Sequence, residues 1–276
     1  MHLEPIADLN WAYQLHFYLC FRTHRRIAIF ESDDRAGLLS NALNEICQRH
    51  DYHLLRSKIY PDHVRCLVSL RPEQDIAKAT QTIKTNSSRE ICSALGKDAP
   101  LWARGYLARS VGRVRIDAVR QYLHRQAEHH GYADRLRPPV FRYREQSPIA
   151  LAGAHSTFEL NYHVVLATRF RRGVFSSEMG QALVGYWLKV ASKRDFAVDQ
   201  ATVLPDHIHL LVRAGAKTSI EKAVLSLLNN GQYFVAKMFP QDLIGAALDQ
   251  LWQPSAYAGT TGTVTTALLK AFLAEP

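Results

Sequence analysis

Two histidines one residue apart, His207 and His209, stand in the segment Pro205-Asp206-His207-Ile208-His209, among Val203, Leu204, Leu210, Leu211 and Val212. Such flanks read as a buried strand, and side chains at i and i+2 of a strand share one face. Both imidazoles can then address one divalent ion while Ile208 turns into the core. A second group with reactive potential is Tyr122, in Ile116 to Gln126 (IDAVRQYLHRQ). That segment reads as a helix. Tyr122 and Gln126 lie four residues apart, so their phenol and amide oxygens stack on one face and could approach a metal together. Taken singly, each signal also has an ordinary reading: a hydrogen-bonded histidine pair in the core, and a tyrosine that packs.

The elements that must position these groups recur twice along the chain. His16 to Phe30 (HFYLCFRTHRRIAIF) lies over Asn161 to Phe175 (NYHVVLATRFRRGVF), aligning Thr23 with Thr168, Arg26 with Arg171 and Phe30 with Phe175. Pro61-Asp62-His63-Val64-Arg65 answers Pro205-Asp206-His207-Ile208-His209, and Leu101-Trp102 answers Leu251-Trp252. The same elements in the same order indicate a duplication. Each copy then predicts a strand (Tyr13 to Phe21; Phe158 to Leu166), a basic turn and an amphipathic helix bearing Leu39, Leu43, Ile46 and Cys47 or Leu183, Trp187, Leu188 and Ala191. Strands around Leu54 to Leu70 and Val198 to Val212 follow, then a helix near Asp75 to Leu95 and Ile220 to Phe239. The copies have lost complementary chemistry. The first has Arg65 where the second has His209, and the second has Phe272 where the first has Tyr122.

Composition bounds the class. A chain of 276 residues, 47% hydrophobic, can bury the cores of two domains. The longest apolar runs are broken by Asp and His and fall short of a membrane span. No signal-peptide pattern opens the sequence, so cytoplasmic residence and no membrane partner are expected. Cys20, Cys47, Cys66 and Cys92 form no CxxC pair and read as core residues. A net charge of +9 favours an anionic partner, nucleic acid above all. Expected domains are residues 1–130 and 156–276, joined by a Pro- and Gly-containing linker at 131–155 whose Arg135, Arg137, Arg142 and Arg144 are solvated or phosphate-facing.

Taken together, the Tyr162 to Arg171 strand and turn, Pro205 to Val212 (PDHIHLLV), Lys84 with Ser87 and Ser88, Leu101 to Gly112 (LWARGYLARSVG) and Val119 to Gln126 (VRQYLHRQ) resemble one family. It is the HUH-class single-tyrosine transposases of small insertion sequences that move as single-stranded DNA, with their relatives the REP-associated tyrosine transposases. The resemblance spans nearly the whole chain as two copies of a module that such proteins usually carry once.

The resemblance implies an α+β fold of two tandem ferredoxin-like modules, each an antiparallel sheet with helices, paired as a pseudo-dimer; further self-association is left open. It implies that His207, His209 and Gln126 hold Mg²⁺ or Mn²⁺, and that Tyr122 attacks single-stranded or hairpin DNA to leave a 5′-phosphotyrosine and a free 3′-hydroxyl. In the family the tyrosine helix of one subunit can dock on the histidine pair of its partner. Here Tyr122 and Gln126 would complete the site of the second copy, leaving one composite site. Arg65, Lys84, Ser87, Ser88, Arg169, Arg171 and Arg172 are candidate DNA contacts; Arg65 is equally a neutral replacement. Trp102, Tyr106 and Trp252 are either core residues or base-stacking platforms. Two other readings remain: a DNA-hairpin-binding regulator without catalysis, and a phosphodiesterase that uses water and needs no tyrosine.

Overall fold

The computed structural model describes residues 4–96, 100–129, 141–146, 151, 153 and 156–274, the side chains of 126–129 excepted. The first half runs β1 (Asn10–Gln14), β2 (His16–Arg22), α1 (Asp33–Arg49), β3 (His53–Tyr60), β4 (His63–Ser69), α2 (Ile76–Ala94), β5 (Leu107–Val111) and α3 (Ile116–His129). After β6 (Phe141–Arg144) and β7 (Thr157–Glu159), the pattern repeats. It reads β8 (Asn161–Thr168), α4 (Ser177–Ala191), β9 (Phe196–Leu204), β10 (His207–Ala214), α5 (Ile220–Met238), a short α6 (Pro240–Gly245), β11 (Trp252–Thr261) and α7 (Thr266–Ala274). Among the described residues no helix is long and apolar enough to cross a membrane.

The two sheets run β3-β4-β2-β5-β7 and β1-β11-β8-β10-β9-β6. Their central four strands, β3-β4-β2-β5 and β9-β10-β8-β11, are antiparallel and carry the strand order of the ferredoxin-like β-α-β-β-α-β unit twice. Alternation explains each buried face. Ile208, Leu210 and Val212 of β10 point into the core under α4 and α5, so His207, His209 and Leu211 point to the opposite face. Helix starts are fixed by side chains: Asp75 accepts from Lys78 N (2.8 Å), Ser176 from Met179 N (3.1 Å) and Ser219 from Lys222 N (3.3 Å).

Three expectations change. The strands expected over Tyr13–Phe21 and Phe158–Leu166 are each two strands, divided at the buried Leu15 and Leu160. At both points the chain leaves one sheet and enters the other, which a continuous run of β-favouring residues cannot reveal. Hence β1 pairs parallel with β11 of the second half, and β7 pairs parallel with β5 of the first, so neither sheet is purely antiparallel. Thirdly, the 131–155 segment is more than a connector, because Phe141–Arg144 forms an edge strand on β9 with Phe141 and Tyr143 against the core. Arg135 and Arg137 lie outside the described residues.

The halves also exchange helices. α3 of the first packs on β9 and β10 of the second, and α7 of the second packs on β3 and β4 of the first. One hydrophobic cluster runs through both, with Phe17 and Tyr162 rings 6.1 Å apart. The strands leading into α3 and α7 cross where Ser110 Oγ donates to the Thr261 carbonyl (2.6 Å) and Thr260 Oγ1 to that of Val111 (2.7 Å). Glycine is required at the crossing. A Cβ on Gly112 would stand 2.1 Å from the Thr260 carbonyl oxygen, and one on Gly262 2.1 Å from that of Ser110.

Candidate active site

The helix exchange brings Tyr122 to the histidine pair. Ile116, Val119 and Leu123 of α3 pack on Leu211 of β10, and two β9 side chains bind the helix backbone: Thr202 Oγ1 donates to Leu123 O (2.7 Å) and Gln200 Nε2 to Arg120 O (3.3 Å). One helical position from that apolar stripe, Tyr122 sets its ring edge-on to His209, with centroids 5.6 Å apart. The imidazoles of His207 and His209 are 5.0 Å apart and only 2% and 5% exposed as residues, withdrawn from water beneath the helix. Tyr122 itself is 40% exposed, so its phenol stands at the mouth of the site.

Each histidine is held by a neighbour. His207 Nδ1 and Asp206 Oδ1 are 2.7 Å apart, and Arg171 Nε reaches Asp206 Oδ2 at 3.0 Å. Burial alone would raise the Asp206 carboxyl. The hydrogen bond from His207, with the charges of His207 and Arg171 behind it, outweighs burial and holds it below the usual carboxylate range. With Nδ1 on the carboxylate, the ring is oriented through that nitrogen, the arrangement by which a carboxylate orients an imidazole that can bind a metal through Nε2. For His209 the neighbour is His163 on β8, whose Nε2 lies 3.1 Å from His209 Nδ1, the rings stacked at 5.4 Å. Burial pushes His163 down to about 4, so it is neutral at ordinary pH and can accept the Nδ1 proton of His209.

His163 is a residue that sequence reasoning missed. Its signal was parity: Tyr162, Val164 and Leu166 face the core, which turns His163 to the side of His207 and His209 once β8 and β10 pair. As a donor set the pair fits a divalent ion that takes imidazole nitrogen. Among the described residues there is no cluster of three or more His, Cys, Asp or Glu suited to a metal. Gln126 follows Tyr122 by one turn of α3; its side chain lies outside the described residues.

The basic turns ahead of α1 and α4 are built alike. Thr168 Oγ1 reaches the Arg172 carbonyl (2.7 Å) and the Asp206 carbonyl (2.9 Å), as Thr23 Oγ1 reaches those of Ile27 (2.8 Å) and Asp62 (3.1 Å). Between those anchors Phe170 and Arg171, like Arg25 and Arg26, take left-handed backbone angles. Thus the repeated threonine clamps the basic turn onto the Pro-Asp-His turn. Of the arginines expected at DNA, Arg171 pairs through Nε with Asp206 (3.0 Å), Arg169 donates to Asp249 (2.9 Å) and Arg172 to the Ala246 carbonyl (2.8 Å).

Other candidates separate by burial. Ser87 is wholly buried, donating to Ile83 O (2.6 Å) and accepting from Trp102 Nε1 (2.9 Å), which removes it as a DNA contact. Ser88 Oγ accepts from Leu101 N (3.4 Å), and Lys84 Nζ donates to the carbonyls of Ala103 (2.8 Å) and Gly105 (2.7 Å). All three fasten the Leu101-Trp102 turn to α2. Trp102 and Trp252 are core residues, Trp252 donating to Leu228 O at 3.0 Å, and neither offers a ring to a base.

The first half holds the mirror image. Arg65 lies under α7 with its guanidinium 4.7 Å from the Tyr60 ring and 5.3 Å from that of Phe272. His63 Nδ1 pairs with Asp62 at 2.7 Å, as His207 pairs with Asp206. Tyr18 stands where His163 does, and burial, with Cys20 beside it, pushes its phenol up to about 12.

Comparison with known proteins agrees with the duplication. A family profile described as "Transposase IS200 like" matches residues 11–126 and again 156–275. The ISDra2 transposase TnpA of Deinococcus radiodurans is 25% identical over 121 residues, 44% of this chain and 86% of that protein. The transposase for insertion sequence element IS200 of Salmonella typhimurium is 24% identical over 112 residues, 41% of this chain and 74% of that one. A REP-associated tyrosine transposase solved on a REP hairpin is 15% identical, covers 43% of this chain and 70% of its own, and superposes with a TM-score of 0.30.

Proposed function

The chain belongs to the IS200-like transposase family, and from that premise we propose that it cuts and rejoins single-stranded DNA at one composite site, with Tyr122 as the nucleophile. The observation that carries this reading is the seating of Tyr122, from the first half, 5.6 Å from the ring of His209 in the second. The chain is then a covalent pseudo-dimer.

In this mechanism the Tyr122 oxygen attacks the scissile phosphorus in line and the bond from phosphorus to the 3′ oxygen breaks. The phenol gives up its proton and the leaving 3′ oxygen takes one. A phosphodiester is exchanged for a phosphotyrosine, so the bond energy is retained for rejoining and no ATP is needed. A divalent cation, Mg²⁺ or Mn²⁺, held by His207, His209 and Gln126, would supply Lewis-acid stabilisation of the charge developing on a non-bridging phosphate oxygen. Asp206 fixes the His207 ring, His163 fixes that of His209, and the packing of α3 sets the approach of the phenol. Burial of both imidazoles strengthens every electrostatic interaction there.

The test is incubation of the full chain with labelled hairpin-containing single strands and Mn²⁺, followed by a denaturing gel. Wild type forms a covalent band that Tyr122→Phe and His207→Ala both abolish. A wild-type protein that binds across a broad hairpin library and never forms the band is a DNA-binding regulator instead. Turnover that survives Tyr122→Phe points to hydrolysis by water.

A further inference from the structure

We propose that the mirrored site of the first half, built on Arg65, is a second single-stranded DNA site that grips a backbone phosphate without cutting it. The proposal rests on the reading of the chain as a single-stranded DNA enzyme and extends it to a second bound strand.

Position comes first. α7 lies over β3 and β4 as α3 lies over β9 and β10, so both sites sit at equivalent places on their sheets. What differs is the chemistry, and the replacements share a direction. His209 has become Arg65; Thr202 and Leu204 of β9 correspond to Lys58 and Tyr60 of β3. A site relaxing into ordinary core would gain apolar residues. This one has gained two cations and a ring, on a sheet face that keeps His63.

The local geometry suits a phosphate. Arg65 is braced between the rings of Tyr60 and Phe272, its Nε is buried without a hydrogen-bond partner, and Lys58 Nζ stands 5.5 Å from the Tyr60 centroid. His63 stacks on Tyr60 at 4.3 Å and uses Nδ1 on Asp62. A guanidinium is charged at every working pH and presents a planar fork of donors that matches a phosphate, so it replaces a metal with two imidazoles as an anion receptor needing no metal. Phe272 carries the ring of the tyrosine without its oxygen and is 42% exposed, which leaves it open to a base. The side chain that stands where Tyr122 does is Phe272, which has no oxygen to attack with, so the reaction proposed for the composite site does not run here. A strand held there stays whole while the composite site cuts another.

Native mass spectrometry of the full-length Tyr122→Phe chain, titrated with a short unstructured single-stranded DNA, counts the strands held. Two per chain are expected. Adding Arg65→Gln weakens the second event ~10–100-fold, as loss of a charged hydrogen bond does, and lowers the salt slope of binding by about 0.7, one phosphate contact to a single strand. Arg65→Lys, which keeps the charge and loses the fork, falls between; it carries the test if Arg65→Gln melts early. A strand with neutral methylphosphonate linkages loses the second event. One strand per chain in the parent, or two held equally well with Arg65→Gln, overturns the proposal. Adduct formation by wild type is read alongside. Two strands without an adduct refute the proposed chemistry and leave this site standing; an adduct with one strand refutes this site alone.

Discussion

In the proposed mechanism His163 and Asp206 act through other residues, and their effect should be legible in the dependence on added metal. Each fixes one imidazole by its Nδ1, at 3.1 Å and 2.7 Å. Loss of such a partner typically costs 10–100-fold in metal affinity or activity. We therefore expect His163→Phe and Asp206→Asn to raise the Mn²⁺ concentration for half-maximal adduct formation ~10–100-fold, with DNA affinity in the absence of metal unaltered. An unchanged metal titration would leave both residues structural. At this scale the histidine pair was legible because strand parity is a local rule, whereas His163 enters only when β8 pairs with β10. Ser87 shows the opposite failure: its motif looked like a backbone contact, and burial has turned it to Trp102.

The elements transmit position. Leu123 is wholly buried between α3 and β10, and Leu123→Ala should cost ~2–5 kcal/mol by cavity formation. Because α3 also carries Tyr122, adduct formation should fall further than the stability loss explains at a temperature where the variant is still folded; denaturant titration and the gel assay together check this. The corresponding residue of α7, Leu273, gives the control, since Leu273→Ala destabilises the other helix and leaves Tyr122 seated. Helices and central strands were legible from periodicity. The division of two strands at Leu15 and Leu160 was not, because crossing from one sheet to another changes a strand's neighbours and not its composition.

For the molecule as a whole, a composite site makes a genetic prediction. Mixing Tyr122→Phe with His207→Ala chains should restore no adduct, since the Tyr122 helix of each chain is already seated on its own histidine strand; recovery of the band would mean that helices exchange between chains. The crossing of the halves is equally exacting. Gly112→Ala and Gly262→Ala each put a Cβ 2.1 Å from a carbonyl oxygen that belongs to the opposite half. Each should cost ~3 kcal/mol or more as backbone overpacking, read as a lowered denaturation midpoint.

The pairing of β1 with β11 joins residue 10 to residue 255. During synthesis β1 is made long before its partner, and its edge stands open while the segments between β1 and β11 are translated. Its second sheet cannot close on a nascent chain, and contacts of such span slow folding and prolong exposure of unpaired strands. A ribosome that stalls between β1 and β11 leaves β1 with nothing to pair with, and chaperone demand should rise with the pause.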